Sequence, residues 1–551
     1  MAKLIQISSL ENIMPKLRQD FTPVNRIRAL LGESVSYQLA FQAENDAPYS
    51  LRIESEIAEH LRIYKIGCVP VMRAVWNLRT LEDGNYLSTE PGMFPDLLEP
   101  YQGEPIRGAY YYQGFWIEAE STLPAGTHRI RATLLRKGIP TQTAEMELQI
   151  LPLALPPQEL KYLISVHADC VAQYYGQEVF SEEHWAMLEK FIRISAKYGS
   201  NMLVPPIFTP PVDTQVGGER LTVQLVDIRK EGTAYRFGFE KFRRYIAICQ
   251  DEGIRYFSMP QFFTQWGAAF APKIMAWEDG VYKRIFGWET ESTDPAYLDF
   301  LGQLIPALLE ELRSLNILDR TVFSLSDETG KPEAMARYAK LNRALKPLLT
   351  GCTLMDTFSH YENFAASGMD IPVIPTDSVT EFMGKVPELF VYYCCGNDYK
   401  VSNRFINMPS WRNRSIGFQF YRYDTKGFLH WALNFYNSRL SIRPIDPYQI
   451  TDSDGGFPSG DAFIVYPGAE GPLPSMRLLV FREALQDLRA LKLLEQFKGR
   501  EYVLALLEQA FGEVTFTRCA KSAGEFLRFR DAVMDALSDC AAAGNVPGAD
   551  R

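Results

Sequence analysis

The chain has 551 residues, 46% of them hydrophobic and 13% aromatic, so it can fill more than one hydrophobic core, and we expect two or three domains. Its 57 basic and 67 acidic residues give a net charge of −10, without a basic run that would follow a phosphate backbone. The composition therefore disfavours nucleic acid and anionic membrane as partners.

The first part of the chain alternates apolar and polar residues in the manner of strands. Runs such as "SVSYQLAFQAE" and "THRIRATLLR" occur between about residues 34 and 153 and are separated by turn residues. This pattern predicts an antiparallel β-sandwich, assigned to residues 1–156. The first twenty residues are too polar for a signal peptide or a membrane span, which predicts a cytoplasmic protein. The eight scattered cysteines form no CxxC pair, and we predict neither a metal nor a cofactor.

After the proline-rich joint "LPLALPPQEL", strand-like runs alternate with amphipathic helices. This alternation predicts a (β/α)₈ TIM barrel over residues 157–470 in a multidomain α/β protein. Its eight expected strands are residues 160–166, 201–207, 255–262, 321–327, 352–358, 371–377, 389–395 and 427–433. A doubly wound open sheet is the alternative, although the chain lacks a GxGxxG or Walker loop. Residues 471–551 predict a helical extension that packs on the barrel.

Two adjacent carboxylates, Asp327 and Glu328, follow the fourth expected strand. Neighbouring strand residues point to opposite faces, so the pair can converge only where the strand ends or kinks. In one interpretation Asp327 or Thr329 caps the next helix. In the other, two close carboxylates cannot both ionise easily, so one keeps its proton and can act as an acid.

An adjacent pair does not match the usual glycosidase arrangement, in which two carboxylates from separate strands flank the scissile bond. It does suit substrate assistance, in which the 2-acetamido oxygen of an N-acetylhexosamine replaces the enzyme nucleophile. In that scheme Glu328 is the acid/base, and Asp327 orients the acetamido N–H.

Several segments together resemble glycoside hydrolase family 123: "TVFSLSDE" (321–328), "GMFPDLLEP" (92–100), "YRYDTKGFLHWALNFY" (421–436) and residues 460–495. The resemblance implies a sandwich followed by a (β/α)₈ barrel. It also implies retaining β-N-acetylgalactosaminidase-like activity, with Asp327 as the acetamido-orienting residue and Glu328 as the acid/base.

Polar and aromatic residues near the other strand ends are candidates for binding a sugar, because hydroxyls need fixed polar partners and pyranose C–H faces suit aromatic rings. These substrate-binding candidates are His167, Gln261, Asp356, Asp377, Tyr393, Trp431 and Asn434. A metal at His167, Asp169 and Cys170 is disfavoured because such close spacing cannot converge on one ion.

The leading hypothesis is an exo-acting retaining hydrolase of terminal β-linked N-acetylhexosamine, preferably N-acetylgalactosamine, acting on a small glycan or glycoconjugate fragment. A second is a neutral-sugar glycosidase that uses Glu328 with a remote carboxylate such as Asp356 or Asp377. A third is a non-catalytic carbohydrate-binding protein. The sequence leaves the oligomeric state open.

Overall fold

The computed structural model describes residues 2–43, 45–328 and 330–543. Its N-terminal part contains two five-stranded sheets. In spatial order, the first sheet has strands Lys3–Ser8, Val35–Gln42, Gln113–Ala119, Leu61–Val71 and Gly92–Pro100, and the second has Arg26–Leu31, Ile139–Ala154, Gly126–Arg136, Pro48–Glu54 and Ile106–Arg107. Along the chain, a short helix, Leu78–Asp83, lies between the strands Leu61–Val71 and Gly92–Pro100.

The two sheets enclose one apolar core, to which Leu39 and Phe115 contribute from the first sheet and Leu134 from the second. Pairing is antiparallel except between Arg26–Leu31 and Ile139–Ala154, which run parallel. The predicted antiparallel sandwich is confirmed, with this one parallel pair as an exception among the described strands. The two strands are far apart in sequence, so no hairpin turn forces them to run in opposite directions.

Residues 161–430 supply a closed barrel of eight parallel strands. The strands are Lys161–Ile164, Met202–Leu203, Tyr256–Ser258, Thr321–Phe323, Thr353–Thr357, Ile371–Pro375, Phe390–Tyr392 and Gly427–His430. Each lies inside one of the eight predicted runs but is shorter than it. The first strand pairs with the eighth, Leu163 opposite Leu429, so the barrel closes and the open-sheet alternative is wrong.

Helices follow the barrel strands, as the alternating pattern predicts. Their bounds are Ala168–Tyr175, Glu182–Lys197, Glu240–Asp251, Pro295–Ser314, Pro332–Leu345, Tyr361–Ser367, Val379–Phe382, Ser410–Arg414 and Ile416–Arg422. The helix Glu182–Lys197 shows why these segments fold this way. Ser181 caps its N-terminus by accepting a hydrogen bond from the His184 N–H, and Leu188, Phe191 and Ile192 are buried.

A separate four-stranded sheet is formed by segments that lie in the chain before and after the third barrel strand. The sequence pattern did not predict this sheet. In spatial order its strands are Ala234–Gly238, Asp227–Glu231, Ile274–Glu278 and Val281–Phe286. It consists of two hairpins whose strands are only five or six residues long, so each carries too little alternation to be recognised. A small hairpin, Val465–Gly468 with Gly471–Pro474, lies after the last barrel strand.

The C-terminal helices are Met476–Lys498, Arg500–Phe511 and Ala523–Ala542. The first contacts the sandwich through buried ion pairs, Arg477 with Asp96 at 2.8 Å and Arg482 with Glu118 at 2.5 Å. Across residues 2–43, 45–328 and 330–543, no helix has the length and apolar character needed to cross a membrane.

Candidate active site

The segment after the fourth barrel strand is held by a buried carboxylate from the fifth. Asp356 accepts hydrogen bonds from the backbone N–H of Leu325 at 2.9 Å and of Ser326 at 3.3 Å. It also accepts hydrogen bonds from the hydroxyls of Ser324 and Tyr338. Burial raises the pKa of Asp356 to about 7. Asp356 therefore fixes the backbone directly before Asp327 and Glu328.

One hydroxyl contacts both members of the carboxylate pair. The Thr357 Oγ1 donates a hydrogen bond to Asp327 Oδ1 at 2.7 Å and accepts one from the Glu328 N–H at 2.9 Å. Glu328 adopts a left-handed backbone conformation, with φ of 45°. This conformation is uncommon for a residue other than glycine, and it breaks the alternation that would send two neighbouring side chains to opposite faces.

The Glu328 carboxyl group turns toward the seventh barrel strand. Tyr392 Oη donates a hydrogen bond to Glu328 Oε1 at 3.0 Å. Tyr392 is buried in the cluster that fills the barrel interior, together with Leu163, Met202 and Met355. The tyrosine ring is therefore held by packing, and its hydroxyl reaches the acid from inside the barrel.

Both carboxyl groups have raised pKa values. Although Glu328 as a residue is exposed, protein atoms crowd its carboxyl group, and this crowding together with the negative charge of Asp327 raises the pKa of Glu328 to about 7. Burial also raises the pKa of Asp327, and the hydrogen bond from Thr357 opposes that effect. At neutral pH the pair thus holds a proton that an isolated Asp and Glu would both have lost.

Asp327 lines a pocket at the carboxyl ends of the barrel strands. The predicted residues His167, Gln261, Asp356 and Trp431 also line it. Residues from seven of the eight strands or the loops directly after them form its wall, so the closed barrel brings together side chains that are distant in sequence.

His167 belongs to a buried charged cluster at the pocket wall. Arg220 Nε and Nη2 donate to the two oxygens of Asp169 at 2.8 and 2.7 Å, and Arg220 Nη2 lies 3.1 Å from His167 Nδ1. Burial and the positive charge of Arg220 lower the pKa of His167 to about 3, so the imidazole is neutral. Nδ1 then accepts from Arg220, and Nε2 donates to the Trp431 carbonyl at 3.1 Å.

Trp431 and Asn434 follow the eighth strand and differ in role. Trp431 lines the pocket and donates its indole N–H to Asp461 Oδ2 at 3.1 Å. Asn434 is fully buried and bonds both the N–H and the carbonyl of His167. The Asn434 side chain thus positions His167 and is not among the pocket-lining residues, and its role as a substrate-binding group stays a prediction.

Two further candidates lie outside the pocket lining. Tyr393 is fully buried, with its ring centroid 4.8 Å from that of Phe428 and 5.7 Å from that of His430. Because strand side chains alternate, Tyr392 points into the barrel and Tyr393 points away from it. Asp377 is exposed and is also absent from the pocket wall. The substrate-binding roles of Tyr393 and Asp377 stay predictions.

In the structure, Asp327 does not cap the next helix. The next helix begins at Pro332, and its N-cap residue, Lys331, makes no capping hydrogen bond with its side chain. Thr329, the other proposed cap, lies outside the described residues. Asp327 instead bonds Thr357, one strand away.

Sequence reasoning missed Thr357, Tyr392 and Arg220. Thr357 adjoins the predicted Asp356, and Tyr392 adjoins the predicted Tyr393, so both were within one residue of a candidate. The strand-end position is a signal for both of them. Arg220 lies in a long loop after the second strand, and no local pattern links it to Asp169.

Comparison with known proteins gives a consistent result. The family model "Glycoside hydrolase 123, catalytic domain" matches residues 166–494. A family 123 glycoside hydrolase from Clostridium perfringens superposes with a TM-score of 0.76 at 13% identity, over 98% of this chain and 100% of that one. A β-D-glucuronidase from Dictyoglomus thermophilum gives a TM-score of only 0.34 at 9% identity, over 84% and 69% of the two chains. No curated protein matches the sequence.

A closed barrel with a carboxylate pair at its carboxyl end, matched by a glycosidase family model, defines this protein as a glycoside hydrolase. The matched region covers more than half of the chain and reaches into the helix Met476–Lys498. The chain belongs to glycoside hydrolase family 123.

Proposed function

We propose that the protein is a retaining exo-glycosidase that removes terminal β-linked N-acetylhexosamine, preferably N-acetylgalactosamine, by substrate-assisted catalysis. The observation that carries this proposal is the adjacency of Asp327 and Glu328, held by one hydroxyl, with the pKa of Glu328 raised to about 7. Two carboxylates on consecutive residues cannot flank a scissile bond from opposite sides, so the nucleophile has to come from elsewhere.

In the first step, the acetamido carbonyl oxygen of the substrate attacks its anomeric carbon, and the glycosidic C–O bond breaks. Glu328 gives its proton to the departing oxygen. Tyr392 bonds Glu328 Oε1, which leaves Oε2 to carry that proton. The acetamido nitrogen gains positive charge as the oxazolinium ring closes, and the Asp327 carboxylate accepts its N–H and stabilises that charge.

In the second step, water attacks the anomeric carbon from the face that the leaving group vacated. Glu328, now ionised, accepts a proton from this water, and the ring opens to regenerate the acetamide. The product keeps the β configuration because two displacements occur at the same carbon. The proton that Glu328 gives in the first step is regained in the second, so the carboxyl group returns to its starting state.

The neutral-sugar alternative has less support. It needs a second carboxylate facing Glu328 across the pocket, and its two candidates are Asp356 and Asp377. Asp356 already accepts four hydrogen bonds, from the segment Ser324–Ser326 and from Tyr338, so it is engaged in holding that segment. The description of the family 123 relative from Clostridium perfringens concerns glycolipid glycan hydrolysis, which supports a glycan as the substrate.

The test is a panel of aryl glycosides with leaving groups of graded acidity, run on wild type and Glu328→Gln. The variant is isosteric and lacks the proton, so turnover of substrates with poor leaving groups should fall by roughly 10²- to 10⁴-fold. Substrates with acidic leaving groups should lose much less. An equal loss for all leaving groups would contradict the role of Glu328 as acid. Binding without turnover across the panel would instead favour a carbohydrate-binding protein.

A further inference from the structure

A second concave site, which we call the basal cleft, lies at the amino ends of the barrel strands, on the face opposite the candidate active site. Asn201 and Arg255 line it, and they directly precede the second and third barrel strands. Ser34 from the sandwich and residues of the helix Met476–Lys498 also line it. The cleft therefore lies where three parts of the chain meet, away from the carboxyl ends of the strands, where barrels place their chemistry.

The wall of the basal cleft carries positive charge without negative charge. Among the described residues that line it, none is Asp or Glu, and its basic residues are Lys197, Arg255, Arg482 and Arg489. The chain as a whole has the opposite balance, with 67 acidic residues against 57 basic ones. A concave wall of one sign of charge attracts small ions of the other sign, so the cleft favours an anion.

Arg482 is the buried member of this set, and the protein uses only part of its hydrogen-bonding capacity. Its side chain is 6% exposed as part of the residue, and Nη1 donates to Glu118 at 2.5 Å. Its Nε and Nη2 have no hydrogen-bond partner in the part of the chain that the structure describes. Buried donors in native proteins are nearly always satisfied by a protein group, a water molecule or a ligand. Arg482 therefore retains two donors that the described protein groups do not satisfy.

Arg489, two helical turns after Arg482 and so on the same face of the helix, forms no ion pair within the described residues. It is half-buried, and its hydrogen bonds go to backbone carbonyls, from Nε to Pro156 at 2.5 Å and from Nη2 to Leu155 at 3.5 Å. Burial lowers the pKa of Arg489, as expected for a cation whose charge is not balanced. A bound anion would supply that balance.

The neutral polar side chains of the wall are already paired within the protein. Gln486 accepts from the Ser34 N–H at 3.0 Å and donates to the Ser34 carbonyl at 2.7 Å. The Asn201 amide accepts from the Tyr162 N–H at 2.8 Å and donates to the Leu160 carbonyl at 3.0 Å. A sugar needs unpaired polar groups for its hydroxyls, whereas an anion needs positive charge and N–H donors. The cleft therefore suits an anion better than a sugar.

We propose that the basal cleft binds a small tetrahedral dianion, the group that inorganic phosphate, inorganic sulfate and phosphate monoesters share. Guanidinium groups match the oxygens of such a group two at a time, and the exposed Lys197 and Arg255 add electrostatic attraction. Because the wall comes from three parts of the chain, a bound anion links them and stabilises the folded state. This site is independent of the proposed hydrolase function.

The experiment titrates the full chain with sodium phosphate and, separately, with sodium sulfate by isothermal calorimetry at constant ionic strength. Arg489→Gln removes one charge, Arg489→Lys keeps it, and Lys492→Gln is the matched control, because Lys492 lies on the same helix but already pairs with Glu159 at 3.1 Å. We expect one phosphate site in wild type, with a Kd raised about tenfold or more in Arg489→Gln, largely restored in Arg489→Lys and unchanged in Lys492→Gln.

Thermal unfolding gives a second measurement, because a ligand that binds only the folded state raises its Tm. Phosphate and sulfate also stabilise proteins in general, so the Tm gain of wild type is compared with that of Arg489→Gln, and the gain in wild type should be larger. If Arg489→Gln does not fold, Arg255→Gln replaces it, with binding weakened roughly two- to fivefold because that side chain is exposed.

The two anions separate the possible sources of the ligand. Tighter binding of phosphate assigns the cleft to phosphate compounds, and tighter binding of sulfate assigns it to sulfate. The proposal is overturned if wild type shows neither binding heat nor a larger Tm gain than the variant with either anion. It is also overturned if wild type and the variant bind the anions with equal Kd.

Discussion

Replacing Tyr392 with phenylalanine tests how the fold sets the pKa of the proposed acid. The ring is held in the barrel interior against Leu163, Met202 and Met355, so Tyr392→Phe should keep its position and lose only the hydroxyl. That hydroxyl donates to Glu328 Oε1 at 3.0 Å and lowers the pKa of Glu328 against the larger effects of burial and Asp327. Without it, the ionised form of Glu328 is less stable and its pKa rises.

The size of the shift follows from the energy of one hydrogen bond. A bond to a charged group contributes about 1.5–3 kcal/mol, and the partial exposure of Glu328 reduces this to roughly 1–1.5 kcal/mol because water replaces part of it. One pKa unit corresponds to 1.36 kcal/mol, so the basic limb of the pH profile should move up by about one unit from its wild-type position near pH 7. The limb belongs to the coupled pair rather than to one residue.

The assay is the pH dependence of kcat/KM, which reports the free enzyme. Tyr393→Phe is the matched control, because that neighbouring ring lies on the other face of the strand, against Phe428 and His430. We expect its basic limb to coincide with that of wild type. A basic limb that moves in Tyr393→Phe but not in Tyr392→Phe would refute the assignment of strand faces and the role given to Tyr392.

Three further predictions follow from the site and its supports. Thr357→Val should lower kcat by roughly tenfold or more, with a smaller change in KM and recovery in Thr357→Ser, because it removes the hydroxyl shared by the pair. The pKa of Glu328 is raised from its ordinary value of 4.5 to about 7, so its contribution to stability is present below pH 4.5 and lost as the pH rises through 7. Thermal unfolding of Glu328→Gln should therefore show a larger Tm gain over wild type at pH 8 than at pH 4.5, and an equal gain at both would contradict the shift. A chain beginning near Pro157 should aggregate, because Arg477 and Arg482 lose the buried partners Asp96 and Glu118, each at a cost of about 3–5 kcal/mol; soluble, active protein by size-exclusion chromatography would refute this.

The barrel strands could be predicted because each is a short apolar run bounded by turns and followed by an amphipathic helix. Asp327 and Glu328 could be predicted because carboxylates at the end of a parallel strand lie where barrels place their chemistry. Both inferences depend on local pattern alone.

The sequence could not predict which side chains of a strand point into the barrel and which point away from it. The run "LFVYYCC" is buried on both sides, so it lacks the polar alternation that tells one face from the other, and a shift of one residue exchanges Tyr392 for Tyr393. The side chains of Asn434 and Asp356 lie at or near the pocket, but they accept hydrogen bonds from backbone N–H groups. This role can be recognised only from the hydrogen bonds in the structure. The ion pair between Arg220 and Asp169 joins residues 51 positions apart, and no sequence pattern near either residue predicts it.

The claim that the substrate supplies its own nucleophile is tested most directly by hydrolysis rates of two glycosides with the same leaving group, one 2-acetamido and one 2-hydroxy. Wild type should turn over the 2-acetamido substrate and leave the 2-hydroxy one intact. Asp327→Asn keeps the shape of the side chain and loses its charge, so it should lower turnover of the 2-acetamido substrate by about 10²-fold or more, on the order of 3 kcal/mol, with a much smaller effect on ground-state binding. If wild type hydrolyses both glycosides at equal rates, the acetamido oxygen is dispensable and substrate assistance is contradicted.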